Sequence, residues 1–225
     1  METSIRPAVP YITDVIAGIA EKPTFEITAN RRLYPEFMRQ SAALSPLPIA
    51  MGEGLKVFLD QYPYGCSEQL TSKLIPYVVL KTRPEFKIDA KKANEMFAAL
   101  LTQLRGRQTP SGGFAMYDPN EGDNLPVSLY VLQALIEARE RGFPVPNDVF
   151  DRAVGFLQSG AYRKTTNLSE ARMFAQSLYL LARAGQVPGN DVGFLRKVFD
   201  QQYKDTWKTD AAAAYLASAY RLLKQ

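Results

Sequence analysis

The chain has 225 residues, of which 46% are apolar and 22% charged, the balance of an ordinary globular protein long enough to bury one or two cores. Its net charge is only +4, with lysines and arginines scattered rather than massed, which argues against nucleic acid as a partner. It holds no histidine and one cysteine, so Ser-His-Asp and Cys-His catalysis, His-ligated metals and an intrachain disulfide are excluded, and a structural zinc site lacks ligands. No cofactor is expected. No apolar run reaches transmembrane length and residues 1–6 lack the apolar region of a signal peptide, so no membrane contact is expected of this segment.

Taken in order, residues 1–45 read as a short β or extended segment. Residues 5–13 and 24–28 are rich in β-branched and aromatic side chains and interrupted by proline, the signature of edge strands. From Pro46 the pattern turns helical, and residues 46–225 form the second expected domain. Ile49, Leu55, Phe58 and Leu59 predict an amphipathic helix that ends before Pro63, weakened by Gly52 and Gly54. A second helix starts near Cys66 and carries Leu70, Leu74, Ile75, Val78 and Val79. Pro76 should kink or divide it. A third spans residues 89–105 with Phe97, Leu100, Leu101 and Leu104 on its buried stripe, and Gly106 as its stop.

Two glycines ahead of Phe114, within residues 108–119, mark a tight turn that delivers Phe114 and Tyr117 toward the body. Beyond it, Ser128-Leu129-Tyr130-Val131-Leu132 recurs 49 residues later as Ser177-Leu178-Tyr179-Leu180-Leu181. Gly142-Phe143-Pro144 and Gly185-Gln186-Val187-Pro188 punctuate the two copies. Further helices are expected over residues 149–157, 194–203 and 209–223. Helical hairpins repeating every 40 to 50 residues or so indicate an α/α solenoid or toroid. The fold class is therefore mainly α, an array of helical hairpins, of which about four are counted.

The chemistry lies in Pro63-Tyr64-Gly65-Cys66-Ser67-Glu68-Gln69. The Cys66 thiol and the Gln69 side-chain amide can condense, with loss of ammonia, to an internal thioester in a ring of about fifteen atoms. Gly65 permits backbone geometry closed to other residues. Glu68, at a helix start, serves as an N-terminal carboxylate or assists proton transfer. Four residues with one wildcard make a weak signal, and an isolated cysteine is more often a small buried hydrophobe.

The surroundings strengthen it. Residues 62–69 run into an apolar helix with a proline ten residues after the cysteine. This stretch resembles the thioester region of the alpha-2-macroglobulin and complement superfamily in its bacterial form. The resemblance implies that residues 46–225 are a truncated α/α toroid carrying the thioester, inserted behind a β segment of a larger secreted or periplasmic chain. A complete toroid of that family would use about six hairpins. It also implies a protease inhibitor that acts in host defence or virulence and reacts once, rather than an enzyme. Target proteases would be captured covalently through lysine, and other domains of the parent chain would be partners. Tyr62, Tyr64 and Tyr117 are candidates to shield the bond from water. Complement relatives redirect transfer to hydroxyls through a histidine; without one, amines are the expected acceptors. Where the family carries a Trp-Leu stretch, this chain has Asn124-Leu125. The alternative is a helical scaffold domain of the same family in which Cys66 and Gln69 never condense.

Overall fold

The computed structural model describes residues 58–60, 62–83, 86, 88–160 and 162–224, together with isolated positions between 16 and 44. The chain divides into two compact units, Met1–Ala42 and Ala43–Gln225. In the first, the strands expected at residues 5–13 and 24–28 lie outside the described residues, apart from Thr24 and Glu26, which have no regular structure. Of the helix expected over residues 49–62, residues 58–60 are helical and most of the rest lies outside the description.

The second unit is mainly helical. From residue 62 on, its α-helices among the described residues are α1 (Ser67–Leu80), α2 (Ala90–Arg105), α3 (Leu125–Glu140), α4 (Asn147–Gln158), α5 (Leu168–Arg183), α6 (Gly189–Val198) and α7 (Ala211–Leu222). Their starts follow local chemistry. Asp89, Asn124, Asn167 and Asp210 each accept a backbone N–H of the first turn, at 2.7, 3.1, 2.9 and 2.9 Å, satisfying donors that the helix leaves unpaired. Gly142 and Gly185 follow α3 and α5 with φ of +73° and +82°, the left-handed turn that ends a helix cheaply only with glycine. Gly106 ends α2 at the expected residue, but with φ −65°, so its conformational freedom is not what stops that helix.

Of the kink or division expected at Pro76, the division does not occur: α1 runs unbroken from Ser67 to Leu80. An interior proline costs about 3 kcal/mol, and here the burial of Leu74, Pro76, Tyr77 and Val78 on the same stretch offsets it. The helix expected over residues 194–203 begins earlier, at Gly189, and widens after Val198 into a π turn over Phe199–Tyr203. Phe199 is completely buried there and stacked on Trp207, ring centroids 5.1 Å apart.

α1, α3, α5 and α7 stand side by side, each packed on the next. α2, α4 and α6 pack against them as the second arms of successive hairpins. The sequence repeat marks the same register in adjacent helices of this row. Ser128 and Ser177 are both buried and both donate to the carbonyl four residues back, Asn124 and Met173, at 2.8 Å. The core runs between the layers through Phe97, Phe114, Leu132, Leu135, Phe174 and Leu178. Tyr215, Tyr220 and Leu223, at the end of the array, are partly buried against this core. Tyr215 packs on Tyr179 of α5 at 5.8 Å.

Polar ties cross the row as well. Arg183 reaches from α5 to Glu137 at 2.7 Å and to Glu140, and Arg172 grips Asp210 with two bonds of 2.7 and 2.6 Å. Burial pushes the Glu137 carboxyl up, but Arg183 and Arg141 outweigh it and hold it below 4.5. Asp210 is held below 3.8 mainly by the Arg172 bond. A carboxyl lowered in the folded state stabilises above its unfolded pKa, and that stability disappears as pH falls through the folded value. The thermal midpoint should therefore begin to fall below about pH 4.5, and Glu137→Gln should flatten the fall by about 2–4 °C. Calorimetry from pH 7 to 3 checks this; parallel curves for the two proteins would contradict it.

Candidate functional site

Cys66 is the N-cap of α1, with extended backbone (φ −67°, ψ 165°), and is 5% exposed. Gln69 sits at the third helical position, where its side-chain oxygen accepts the Cys66 N–H at 3.0 Å. The Cys66 side chain in turn faces the Gln69 backbone N–H, completing a capping box in which sulfur replaces the usual hydroxyl. Sulfur is a weak acceptor, so the Gln69 contact supplies most of the cap. Helix geometry thus folds the Cys66 and Gln69 side chains back on the same turn. Gly65 is not left-handed, and a Cβ there would meet nothing within 4 Å. Its special freedom is not used in this arrangement.

Glu68 is exposed on the first turn, beside the positive end of α1. One carboxylate oxygen faces Cys66 Sγ at 4.0 Å, and the other accepts from Ser72 Oγ at 3.0 Å. Ser72 is within 3.0 Å of the Tyr130 hydroxyl on α3. Burial raises the Tyr130 pKa above 10.0, and the charge of Glu68 adds to it against the Ser72 bond. The segment before Cys66 is tied down by Lys73, whose Nζ donates to the carbonyls of Tyr62 and Tyr64 at 2.7 and 3.4 Å. Tyr62 is half-buried between Phe58 and Tyr64, each 5.5 Å away by ring centroid. Tyr64 and Tyr117 are 65% and 60% exposed.

The residue that sequence reasoning passed over is Ser67. It is fully buried. Its N–H donates to the Met116 carbonyl at 2.9 Å and its Oγ to the Ala115 carbonyl at 2.7 Å. Arg107 Nη1 donates to the same Met116 oxygen at 3.1 Å. Ser67 therefore bolts the Cys66 turn to the glycine loop of residues 108–119. A serine inside a reactive motif gave no sign of this, because its partners are 48 and 49 residues away.

The loop itself is tightly determined. Gly112 has φ +96°, and a Cβ there would lie 2.3 Å from the Arg152 carbonyl oxygen of α4; at Gly113 it would lie 2.4 Å from Asp123 Oδ1. Asp123 accepts from Thr109 and Ser111. The Gln108 amide donates to Gly112 and Val149 carbonyls at 3.0 and 2.9 Å. Phe114, completely buried, is clamped by its N–H donating to Ser128 Oγ at 2.8 Å.

Between this loop and α1 lies a cavity of about 400 Å³ bounded by Glu68, Met116, Asn124, Pro126, Val127 and Tyr130. A larger hollow of about 580 Å³ among Gln158, Arg163, Gln186 and Asp191 touches none of the motif residues, so size alone does not mark the site. Among the described residues no cluster of acidic, histidine or cysteine side chains could hold a metal ion. No helix of the described residues is long and apolar enough to cross a membrane.

A buried thiol and a glutamine amide therefore share the first turn of a helix inside a row of helical hairpins. No family model matches the chain. Alpha-2-macroglobulin of Rickettsia conorii is 33% identical over 227 residues, covering 99% of this chain and 12% of that protein. A crystal structure of native Escherichia coli alpha-2-macroglobulin, spanning domain MG7 to the C-terminus, is 24% identical with a TM-score of 0.62. The match covers 79% of this chain and 29% of that one. Salmonella alpha-2-macroglobulin reacted with methylamine matches at 25% identity and a TM-score of 0.61, over 79% of this chain and 12% of that structure. Over nearly its whole length the chain is a homologue of the bacterial alpha-2-macroglobulins. It spans about an eighth of the length of the curated relative it matches.

Proposed function

We propose that Cys66 and Gln69 are the two halves of an internal thioester and that this chain is the warhead-bearing region of an alpha-2-macroglobulin-like protease inhibitor. The observation that carries the reading is the capping box that folds the Cys66 and Gln69 side chains onto one turn under the Ser67-bolted loop. Thiolate is a far better leaving group than an amide nitrogen, so an amine attacks the Gln69 carbonyl carbon directly and leaves a stable amide and a free Cys66 thiol. The bond reacts once, so the protein is an inhibitor rather than a turnover catalyst. Absence of histidine leaves amines, and hence lysine side chains of an attacking protease, as the favoured acceptors. That a Salmonella relative reacts with methylamine supports the same chemistry here.

Water competes with amines, so the bond must be kept dry until triggered. Met116, which lines the hollow beside Glu68, supplies apolar cover from the loop. Tyr62, Tyr64 and Tyr117 shield the approach, Tyr64 and Tyr117 closing over it when neighbouring domains dock. On this reading the parent chain acts in the periplasm or outside the cell, with its other domains as partners and proteases as targets. The first 45 residues are assigned to the extended segment that leads into the helical region.

The test is the intact mass of the native full-length protein. It should be lower than the sequence mass by one ammonia, and methylamine should then add at Gln69 while releasing one thiol. A mass equal to the sequence value, with Gln69 unmodified by methylamine, would leave a helical scaffold with no activated bond.

A further inference from the structure

We propose that the 400 Å³ cavity beside Glu68 receives the attacking primary amine, and that Ser72 and Tyr130 are positioning residues that hold the Glu68 carboxylate between the entering nitrogen and the departing Cys66 sulfur. This rests on the thioester reading and adds to it a receiving pocket, a proton carrier and two residues that aim that carrier.

The hollow is open to solvent, and Glu68 is the one motif residue that lines it. Met116, Pro126 and Val127 make its walls apolar, and Glu68 is its charged group. An anionic carboxylate beside apolar walls is the complement of an alkylammonium such as a lysine side chain, whose methylene stem the walls cover while the carboxylate draws in the head. A neutral hydroxyl gains no such attraction.

Glu68 is exposed, and a glutamate left to itself would sample many rotamers. Here one oxygen is taken by Ser72, one helical turn on at 3.0 Å. Because the Ser72 proton is spent on Glu68, Tyr130 is the donor in the 3.0 Å contact with Ser72. That role fits a hydroxyl that burial keeps protonated. The chain of donors therefore runs from α3 to α1 and ends on the carboxylate, leaving its second oxygen facing Cys66 Sγ at 4.0 Å.

The step balances without an oxidant or reductant. The amine lone pair attacks the Gln69 carbonyl carbon, forming C–N as C–S breaks. The proton shed by nitrogen passes to Glu68 and on to the Cys66 thiolate, giving an amide and a thiol.

The test uses the full-length protein and its Tyr130→Phe and Ser72→Ala variants, which break the same link from opposite sides. Thiol release is timed with methylamine, largely protonated at neutral pH, and with hydroxylamine, largely neutral there. Both variants should still show the ammonia deficit. Their methylamine rates should fall about tenfold while hydroxylamine rates stay within about twofold, and Glu68→Gln should lower the methylamine rate about 100-fold. Unchanged rates, equal losses with both nucleophiles, or failure of both variants to form the bond would each overturn the proposal, since a purely structural role predicts no selectivity. No ammonia deficit in the unaltered protein would instead remove the thioester reading and this inference with it. A normal deficit and methylamine capture with unchanged selectivity in the variants would remove this inference alone.

Discussion

Replacing Cys66 by alanine in the full-length protein should abolish every covalent adduct with a challenging protease and leave the fold nearly unchanged. Cys66 is the only cysteine of these 225 residues, so within them no other thiol can form the proposed acyl bond. The structural cost is small for identifiable reasons. Sulfur contributes weakly to the cap of α1, so its loss lies at the low end of the N-cap range, about 0.5 kcal/mol. Removal of a small buried group at a 5% exposed position adds about 1 kcal/mol. On denaturing gels after protease challenge, the bands above the mass of the intact protein should vanish. The intact mass should carry no ammonia deficit, and the thermal midpoint should move by a few degrees at most. Adducts that persist in Cys66→Ala would place the reactive acyl group elsewhere.

Gly112→Ala should be the most disruptive single-methyl change in the glycine loop. The residue has φ +96°, and the added carbon would lie 2.3 Å from the backbone oxygen of Arg152, which belongs to helix α4 and cannot rotate away. Left-handed strain and overpacking together cost about 3 kcal/mol, or about 10 °C in the thermal midpoint for a chain of this size. Gly122→Ala is the control. It shares a positive φ of +86° but has nothing within 4 Å of the added carbon, so backbone strain should appear there without the overpacking. Because Met116 and Ala115 hold Ser67, the loop shift should also reach the motif, and Cys66 in Gly112→Ala should be alkylated faster than in Gly122→Ala. Equal stability and equal labelling for the two variants would show that the loop does not brace the site.

The helices were legible because their signals are local. Asp89, Asn124, Asn167 and Asp210 cap, Gly142 and Gly185 stop, and the Ser-Leu-Tyr repeat marks equivalent turns of α3 and α5. Pro76 misled because its penalty is a property of the backbone alone, whereas the burial that offsets it comes from neighbouring helices. The start of α6 was missed because Gly189-Asn190-Asp191 has little apolar pattern. Its helical turn begins where Val192 and Leu195 find the core.

The candidate site divides along the same line. Cys66, Glu68 and Gln69 could be read from the chain, since three residues on one helical turn are neighbours whatever the rest of the molecule does. Ser67 could not, nor could Ser72 and Tyr130, 58 residues apart. Sequence by itself pointed to the chemistry proposed, because it sets a single cysteine three residues ahead of a glutamine. Tertiary structure alone decided which surface bounds that pair, because the glycine loop and α3 are brought to α1 by packing and by hydrogen bonds to buried hydroxyls. Those groups have no preferred partner until desolvation makes an unpaired one costly.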